Sequence, residues 1–165
     1  MPCKYYQTMR FDFVTNSWVH HLRSINSKNT HFVVFRCENF NITNIVCGPE
    51  HRISIGSPGK DGDQNDVTDI SVRNCMFHSS SNGVRIKTWA SPGIGKVSNL
   101  IYEDIFMNHV DNPLIIDQEY CPYPPCNQHV ILISFVLIVH CVKFNRSEIL
   151  YAIQCWCSRI VFITY

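Results

Sequence analysis

The chain has 165 residues, of which 45 % are hydrophobic and 16 % charged, so it can bury a core and is not of the disordered class. Its formal net charge of +1 argues against a general nucleic-acid binder. Nine cysteines and two Asn-x-Ser/Thr sequons, at Asn41 and Asn145, are typical of secreted proteins. Residues 1–6, however, do not open a signal peptide, because no apolar stretch follows Lys4.

The first part of the chain predicts short strands. Alternating or β-branched runs indicate strands at 10–14, 18–22 and 31–35, and residues 15–17 are typical of a turn. No segment here shows the sustained 3.6-residue period of a helix. We therefore predict an all-β protein.

An internal repeat is the main indication of architecture. Residues 67–74 match residues 97–104 at an offset of 30, and residues 39–44 match 69–74 at the same offset. Each unit holds short strands and a polar turn, with asparagines that can hydrogen-bond the turn backbone. Stacked units of this kind predict a right-handed parallel β-helix. The alternative is an antiparallel sandwich of hairpins, which the fixed period disfavours.

A basic strand follows a turn signal in the second repeat. The dipeptide Asn82–Gly83 predicts a turn, since both residues tolerate φ > 0. The alternation that follows places Val84 and Ile86 on one face of a strand, and Arg85 and Lys87 on the other. The two cations would then stand roughly 6–7 Å apart, which suits a carboxylate or sulfate ligand. The alternative is an ordinary solvated strand face.

Two polar segments, 57–66 and 89–96, separate the repeats and predict loops on the binding side of a solenoid. Residues 61–63, Asp-Gly-Asp, form only a fragment of a calcium loop, and we predict no metal site.

The character of the chain changes after residue 126. The repeat ends, and the run 130–139 is apolar but too short for a membrane helix. We predict a partial β-helix domain over residues 1–126 and an atypical apolar tail over residues 127–165. The tail is either a cap for the solenoid or a segment not adapted to it.

Four stretches resemble the plant-type polygalacturonases, the pectin-degrading hydrolases of glycoside hydrolase family 28. They are residues 10–16, 44–57, 82–89 and 112–123. The resemblance implies the right-handed parallel β-helix and inverting hydrolysis of the α-1,4 linkages between galacturonic acids. It also implies an acidic polysaccharide as partner, no cofactor, a monomer, and an extracellular place in the cell wall. A family member acting on a modified pectin backbone is the nearest alternative.

The resemblance also assigns roles to single residues. His51 matches the histidine of the family's Gly-His-Gly motif and would assist the catalytic acid and base, although its flanking glycines are replaced. Arg85 and Lys87 match the pair that holds the galacturonate carboxylate. Tyr120 would line the sugar subsites; the alternative is an aromatic cap of the solenoid.

The family's catalytic aspartates have no counterparts in this chain. Inversion requires two carboxyl groups roughly 6.5–9.5 Å apart, which the family takes from an Asn-Thr-Asp motif and an Asp-Asp pair. Here Asn29-Thr30 is followed by His31, and no two aspartates are consecutive. The segment that carries these acids would lie between the counterparts of 36–37 and 41–43. It would also carry the partner of Cys47.

We therefore expect a polygalacturonase-like protein whose hydrolytic activity is impaired or lost. The alternatives are a non-catalytic remnant that binds polygalacturonate, or a truncated product without a function. We expect neither nucleic acid nor membrane as a partner. Cys121 and Cys126 are close enough in sequence to form a local disulfide.

Overall fold

The structure is a computed structural model that describes residues 7–49, 52–58, 66–89, 96–121, 137–145 and 154–158. Within these ranges every regular element is a β-strand. The strands are β1 (Gln7–Asp12), β2 (Thr15–Ser24), β3 (Thr30–Phe35), β4 (Glu38–Cys47), β5 (Ile53–Ile55), β6 (Val67–Trp89), β7 (Val97–Tyr120), β8 (Leu137–Asn145) and β9 (Gln154–Ser158). A search of the same residues finds no helix long and apolar enough to cross a membrane.

The strands stack into two walls of a solenoid. One wall consists of β1, β3, β5 and the second halves of β6 and β7, and the other of β2, β4, the first halves of β6 and β7, and β8. All of these neighbours pair in parallel, and only the pairing of β8 with β9 is antiparallel. The fold is an incomplete right-handed parallel β-helix, which confirms the prediction from the repeat.

The register confirms the repeat length for the upper coils and shows that the lower coils are shorter. The parallel pairing excludes the sandwich of hairpins. Partners 30 residues apart are Val67–Val97 and Glu38–Thr68, and partners 23 residues apart are Gln7–Thr30 and Thr15–Glu38.

The core lies between the walls and is formed by alternate residues of each strand. These side chains are almost entirely removed from water, and each contributes about 1.5–3 kcal/mol of transfer free energy. The core residues of the first wall include Phe32, Val34, Ile53, Ile55, Val84 and Ile86, and those of the second include Phe40, Ile42, Ile70, Val72, Leu100 and Tyr102.

The corners between the walls are built from stacked residues with positive φ. Asn and Asp tolerate this region better than other residues with a side chain. Corner side chains bond to each other along the stack, for example Asn39 Nδ2 to Asn16 Oδ1 at 2.8 Å and Asn74 Nδ2 to Asn44 Oδ1 at 2.5 Å. The first corner comprises Asn16, Asn39, Asp69 and Asn99, and the second comprises His21, Asn44, Asn74 and Asp104.

Two predicted turns lie inside strands. Residues 15–17 belong to β2, where the positive φ of Asn16 (49°) bends the strand without ending it. Asn82–Gly83 lies within β6, and neither residue has a positive φ; the bend falls at Ser79 (φ 51°). The prediction of a turn at Asn82–Gly83 was therefore wrong. Glycine is needed there for space, because a Cβ on Gly83 would lie 2.6 Å from the Met107 side chain.

The segment 137–145 adds a further rung to the solenoid, since β8 pairs in parallel with β7. The domain boundary at residue 126 lies outside the described residues and stays a prediction.

Candidate binding site

The basic strand predicted at residues 84–87 is part of β6, and its two faces are divided as expected. Val84 and Ile86 are buried in the core, whereas Arg85 and Lys87 point out of the solenoid. The side chain of Arg85 is only 17 % exposed, so this face is partly enclosed.

The outward side of the first wall carries two parallel rows of side chains, one on each outward position of the stacked strands. Adjacent members of a row are about 4.8 Å apart, the spacing of paired strands. The first row is Arg10, Val33, Ser54, Arg85 and Ile115, and the second is Asp12, Phe35, Gly56, Lys87 and Asp117.

Tyr120 lies against the two predicted ligand-binding cations. Its ring centroid is 4.2 Å from Lys87 Nζ and 5.1 Å from the guanidinium carbon of Arg85. Trp89 packs against the same ring at 5.1 Å and an interplanar angle of 69°. Because the ring face attracts cations, Tyr120 holds Arg85 and Lys87 side by side. The three residues predicted from sequence are thus brought together.

Arg85 is also fixed by an acidic neighbour. Its Nη2 donates to Asp117 Oδ2 at 2.5 Å. Asp117 comes from β7, which the register places directly beside Lys87. One side of the guanidinium is therefore held by the protein, and its other donors remain on the enclosed face.

A third cation, Arg52, completes a cationic cluster that we define as Arg52, Arg85 and Lys87. Burial, followed by the charges of Arg85 and Arg52, lowers the pKa of Lys87 to about 8. Burial and the Arg85 charge also lower the pKa of Arg52. These shifts have a common cause, because three like charges share a site that is partly removed from water.

Three buried polar atoms of this site have no hydrogen-bond partner in the described part of the chain. They are Nε of Arg52, Nε of Arg85 and Oγ of Ser54. Arg85 and Ser54 are direct neighbours in the register of β5 and β6. Leaving buried donors unpaired is costly, and an anionic ligand with several oxygens would satisfy them.

The predicted catalytic histidine, His51, lies outside the described residues. Its neighbour Arg52 is described, and its backbone N–H donates to the carbonyl of Asn82 at 3.2 Å. His31 occupies the place after Asn29–Thr30 where the family pattern has an aspartate. It is fully buried, and its Nδ1 lies 2.7 Å from Ser24 Oγ.

Carboxylates on the described part of this wall are few and paired. Asp12 accepts from Nε of Arg10 at 2.7 Å, and Asp117 accepts from Arg85. No group of three or more His, Cys, Asp or Glu side chains among the described residues could hold a metal ion. The wall is therefore suited to binding anions, and a pair of carboxyl groups placed for hydrolysis is absent from its described residues.

The sequence reading missed the part that Arg52 and Trp89 take in the site. Both lie within or beside matched stretches, but their proximity to Tyr120 depends on the register of β5, β6 and β7. Cys47, whose resemblance-based partner is missing, is a free buried thiol. Cys121 is disulfide-bonded, and its predicted partner Cys126 lies outside the described residues.

Fold and site together define a parallel β-helix protein with an anion-binding wall. Residues 37–145 match the model of the family described as glycosyl hydrolases family 28. The chain belongs to this family.

Among its curated relatives are three plant proteins. A polygalacturonase of Brassica napus is 35 % identical over 173 positions, which cover 74 % of this chain and 44 % of the relative. An exopolygalacturonase of Oenothera organensis is 50 % identical over 93 residues, covering 56 % and 26 %. An exopolygalacturonase of Arabidopsis thaliana is 47 % identical over 125 residues, covering 74 % and 28 %. The chain spans less than half the length of each.

The Brassica napus comparison also bears on the missing segment. Its 173 aligned positions exceed the 165 residues of this chain, although only 74 % of the chain takes part. The relative therefore carries residues within the aligned region that have no counterpart here.

Proposed function

We propose that this chain is a polygalacturonase-like protein that binds the galacturonate units of pectin and in which hydrolysis of the polymer is impaired or lost. The observation that carries the proposal is the convergence of Arg52, Arg85 and Lys87 on one partly enclosed wall. Family membership and the names of the relatives support pectin as the polymer concerned.

Recognition of a galacturonate unit rests on its carboxylate. Arg85 offers a planar fork of donors, part of which Asp117 already orients, and Lys87 adds a compact charge on the same face. Tyr120 restrains both cations before a ligand arrives, so less conformational entropy is lost on binding. Ser54 supplies a neutral hydroxyl beside Arg85 for a sugar hydroxyl group.

Hydrolysis would need a carboxylic acid and a carboxylate base on opposite sides of the bond. On the described wall, the two aspartates are each ion-paired with an arginine. His51 could assist such acids but cannot replace both of them. Since the loss of one acid or base typically costs roughly two to four orders of magnitude, we expect release of reducing ends near background.

The place of action follows from the ligand. Pectin is a polymer of the plant cell wall, so we propose an extracellular location. We also propose that the protein acts as a monomer without a cofactor, and that neither nucleic acid nor a membrane is its partner.

Two assays on the purified chain test this function, after circular dichroism has shown a β-rich fold. The first measures binding to polygalacturonate, and the second measures the release of reducing ends. Arg85→Ala should weaken binding at least tenfold, because charge-assisted hydrogen bonds are lost. Arg23→Ala is the matched control, since Arg23 is an exposed arginine of the other wall.

Binding that is equally strong in both variants would overturn the proposed site. Substantial release of reducing ends that disappears in Arg85→Ala would show that other carboxylates serve as acid and base, and would overturn the proposed loss of hydrolysis.

A further inference from the structure

A second set of cations and aromatic rings lies at the N-terminal end of the same wall. We call it the junction patch and define it as Arg10, Phe13, Phe35 and Arg36. The guanidinium carbon of Arg36 is 5.1 Å from the ring centroid of Phe13 and 5.2 Å from that of Phe35. Arg10 lies 5.2 Å from the Phe35 centroid. The two rings meet edge to face at 6.4 Å.

The contacts within the junction patch restrain its cations and leave one ring open. Arg36 is positioned by two aromatic rings, and Arg10 is held by both carboxylate oxygens of Asp12 at 2.7–2.8 Å. Phe13 is nevertheless 64 % exposed. An exposed aromatic ring beside a restrained arginine is a common arrangement for binding a ligand with one apolar and one anionic part.

The junction patch faces the same side as the cationic cluster. Phe35 and Lys87 occupy the same outward row, with Gly56 between them. Two strand spacings separate them, which is about 10 Å. No side chain stands between the two positions, because a Cβ on Gly56 would lie 2.2 Å from the carbonyl oxygen of Lys87. A distance of this size is greater than one sugar ring and requires a ligand of several units.

The charge of the wall fits a ligand with repeated carboxylates. Its described residues carry five cations against two carboxylates, although the whole chain has a net charge of only +1. The cations are Arg10, Arg36, Arg52, Arg85 and Lys87, and the carboxylates are Asp12 and Asp117.

We propose that the junction patch is a second subsite, which binds another galacturonate unit of the oligomer whose first unit lies on the cationic cluster. Arg36 receives the carboxylate of this unit, and the exposed ring of Phe13 packs against the apolar face of the sugar. This inference rests on the proposed function for the first unit. It predicts that affinity rises with the length of the ligand.

The test compares galacturonate with its trimer and hexamer by isothermal titration calorimetry. Arg36→Gln and Phe13→Leu should each remove most of the gain in affinity from monomer to hexamer, by roughly tenfold. Affinity for the monomer should stay unchanged in both variants. The matched controls are Arg23→Gln and Trp18→Leu, because Arg23 is exposed and Trp18 is a 69 % exposed aromatic residue of β2.

The outcomes separate this inference from the proposed function. A length-dependent gain that persists in both Arg36→Gln and Phe13→Leu overturns the second subsite alone. Monomer binding that is insensitive to Arg85→Gln, with a gain that still depends on Arg36, overturns the first site and supports the second. No binding of any oligomer by the folded chain overturns both.

Discussion

Lys87 is the residue of the cationic cluster whose charge changes in an accessible pH range. Because its pKa is lowered to about 8 by burial and by the neighbouring arginines, it loses its proton as the pH rises from 7 to 9. We predict that affinity for polygalacturonate falls across this range, since a neutral amine no longer attracts a carboxylate. Binding measured by calorimetry from pH 6 to pH 10 checks this.

The same shift has the opposite effect on stability. In the unfolded chain Lys87 has its ordinary pKa of 10.5, so between about pH 8 and 10.5 the unfolded state binds more protons than the folded state. Stability should therefore rise with pH over this window, where affinity falls. Lys87→Met should remove both dependences in urea unfolding and binding. If the variant follows the parent at every pH, another group titrates and the assignment to Lys87 is wrong.

Individual residues also show how far the sequence alone could define the site. The alternation at residues 84–87 was enough to place Arg85 and Lys87 outward, because a strand has a strict two-residue period. The position of Tyr120 over these cations was not contained in any local pattern. It depends on the pairing of β6 with β7, including the irregularity between Lys87 and Trp89 that sets Trp89 opposite Tyr120.

The corner stacks determine how the strands bend, and Asn74 offers a test of them. Asn74 has a φ of 48° and donates to Asn44 at 2.5 Å. Asn74→Ala should destabilise the fold by about 1–3 kcal/mol, because it combines backbone strain with a lost hydrogen bond. Asn74→Gly should cost only about 1 kcal/mol, since glycine adopts this conformation without strain.

Urea unfolding measures both values, and Asn29→Ala is the control, because Asn29 is exposed and has no positive φ. Equal destabilisation by alanine and glycine would show that backbone strain at this corner is unimportant.

At the level of elements, the sequence predicted the solenoid because its repeat appears directly as register. The offset of 30 residues between 67–74 and 97–104 is the length of one coil. The shorter lower coils were not predicted, since the matches there are too weak to show a period. Turn composition was also misleading: Asn82–Gly83 resembles a turn, but in β6 the glycine provides space for Met107.

At the scale of the whole molecule, the resemblance located the ligand-binding wall but not its present character. The sequence showed that the aspartates of the family pattern are missing. It did not show that Arg36, next to this gap, folds back between two aromatic rings on the same wall. Such contacts join residues of different coils, and they become visible only when the coils are stacked.

The concentration of positive charge on one wall leads to a prediction about salt. The chain is nearly neutral overall, so the attraction of a polyanion must come from the local excess of cations on this wall. Affinity for polygalacturonate should fall roughly three- to tenfold between 0.05 and 0.2 M NaCl, as counterions screen and replace the contacts.

Plots of log affinity against log salt, measured for four proteins, check this prediction. Arg85→Gln and Arg36→Gln should each reduce the slope by about one charge contact, and Arg23→Gln should leave the slope of the parent unchanged. A fully methyl-esterified polymer, which lacks the carboxylates, should bind weakly and without dependence on salt. An affinity that is insensitive to salt would mean that the polymer is held by apolar and neutral contacts, and that the cations of this wall serve the fold rather than the ligand.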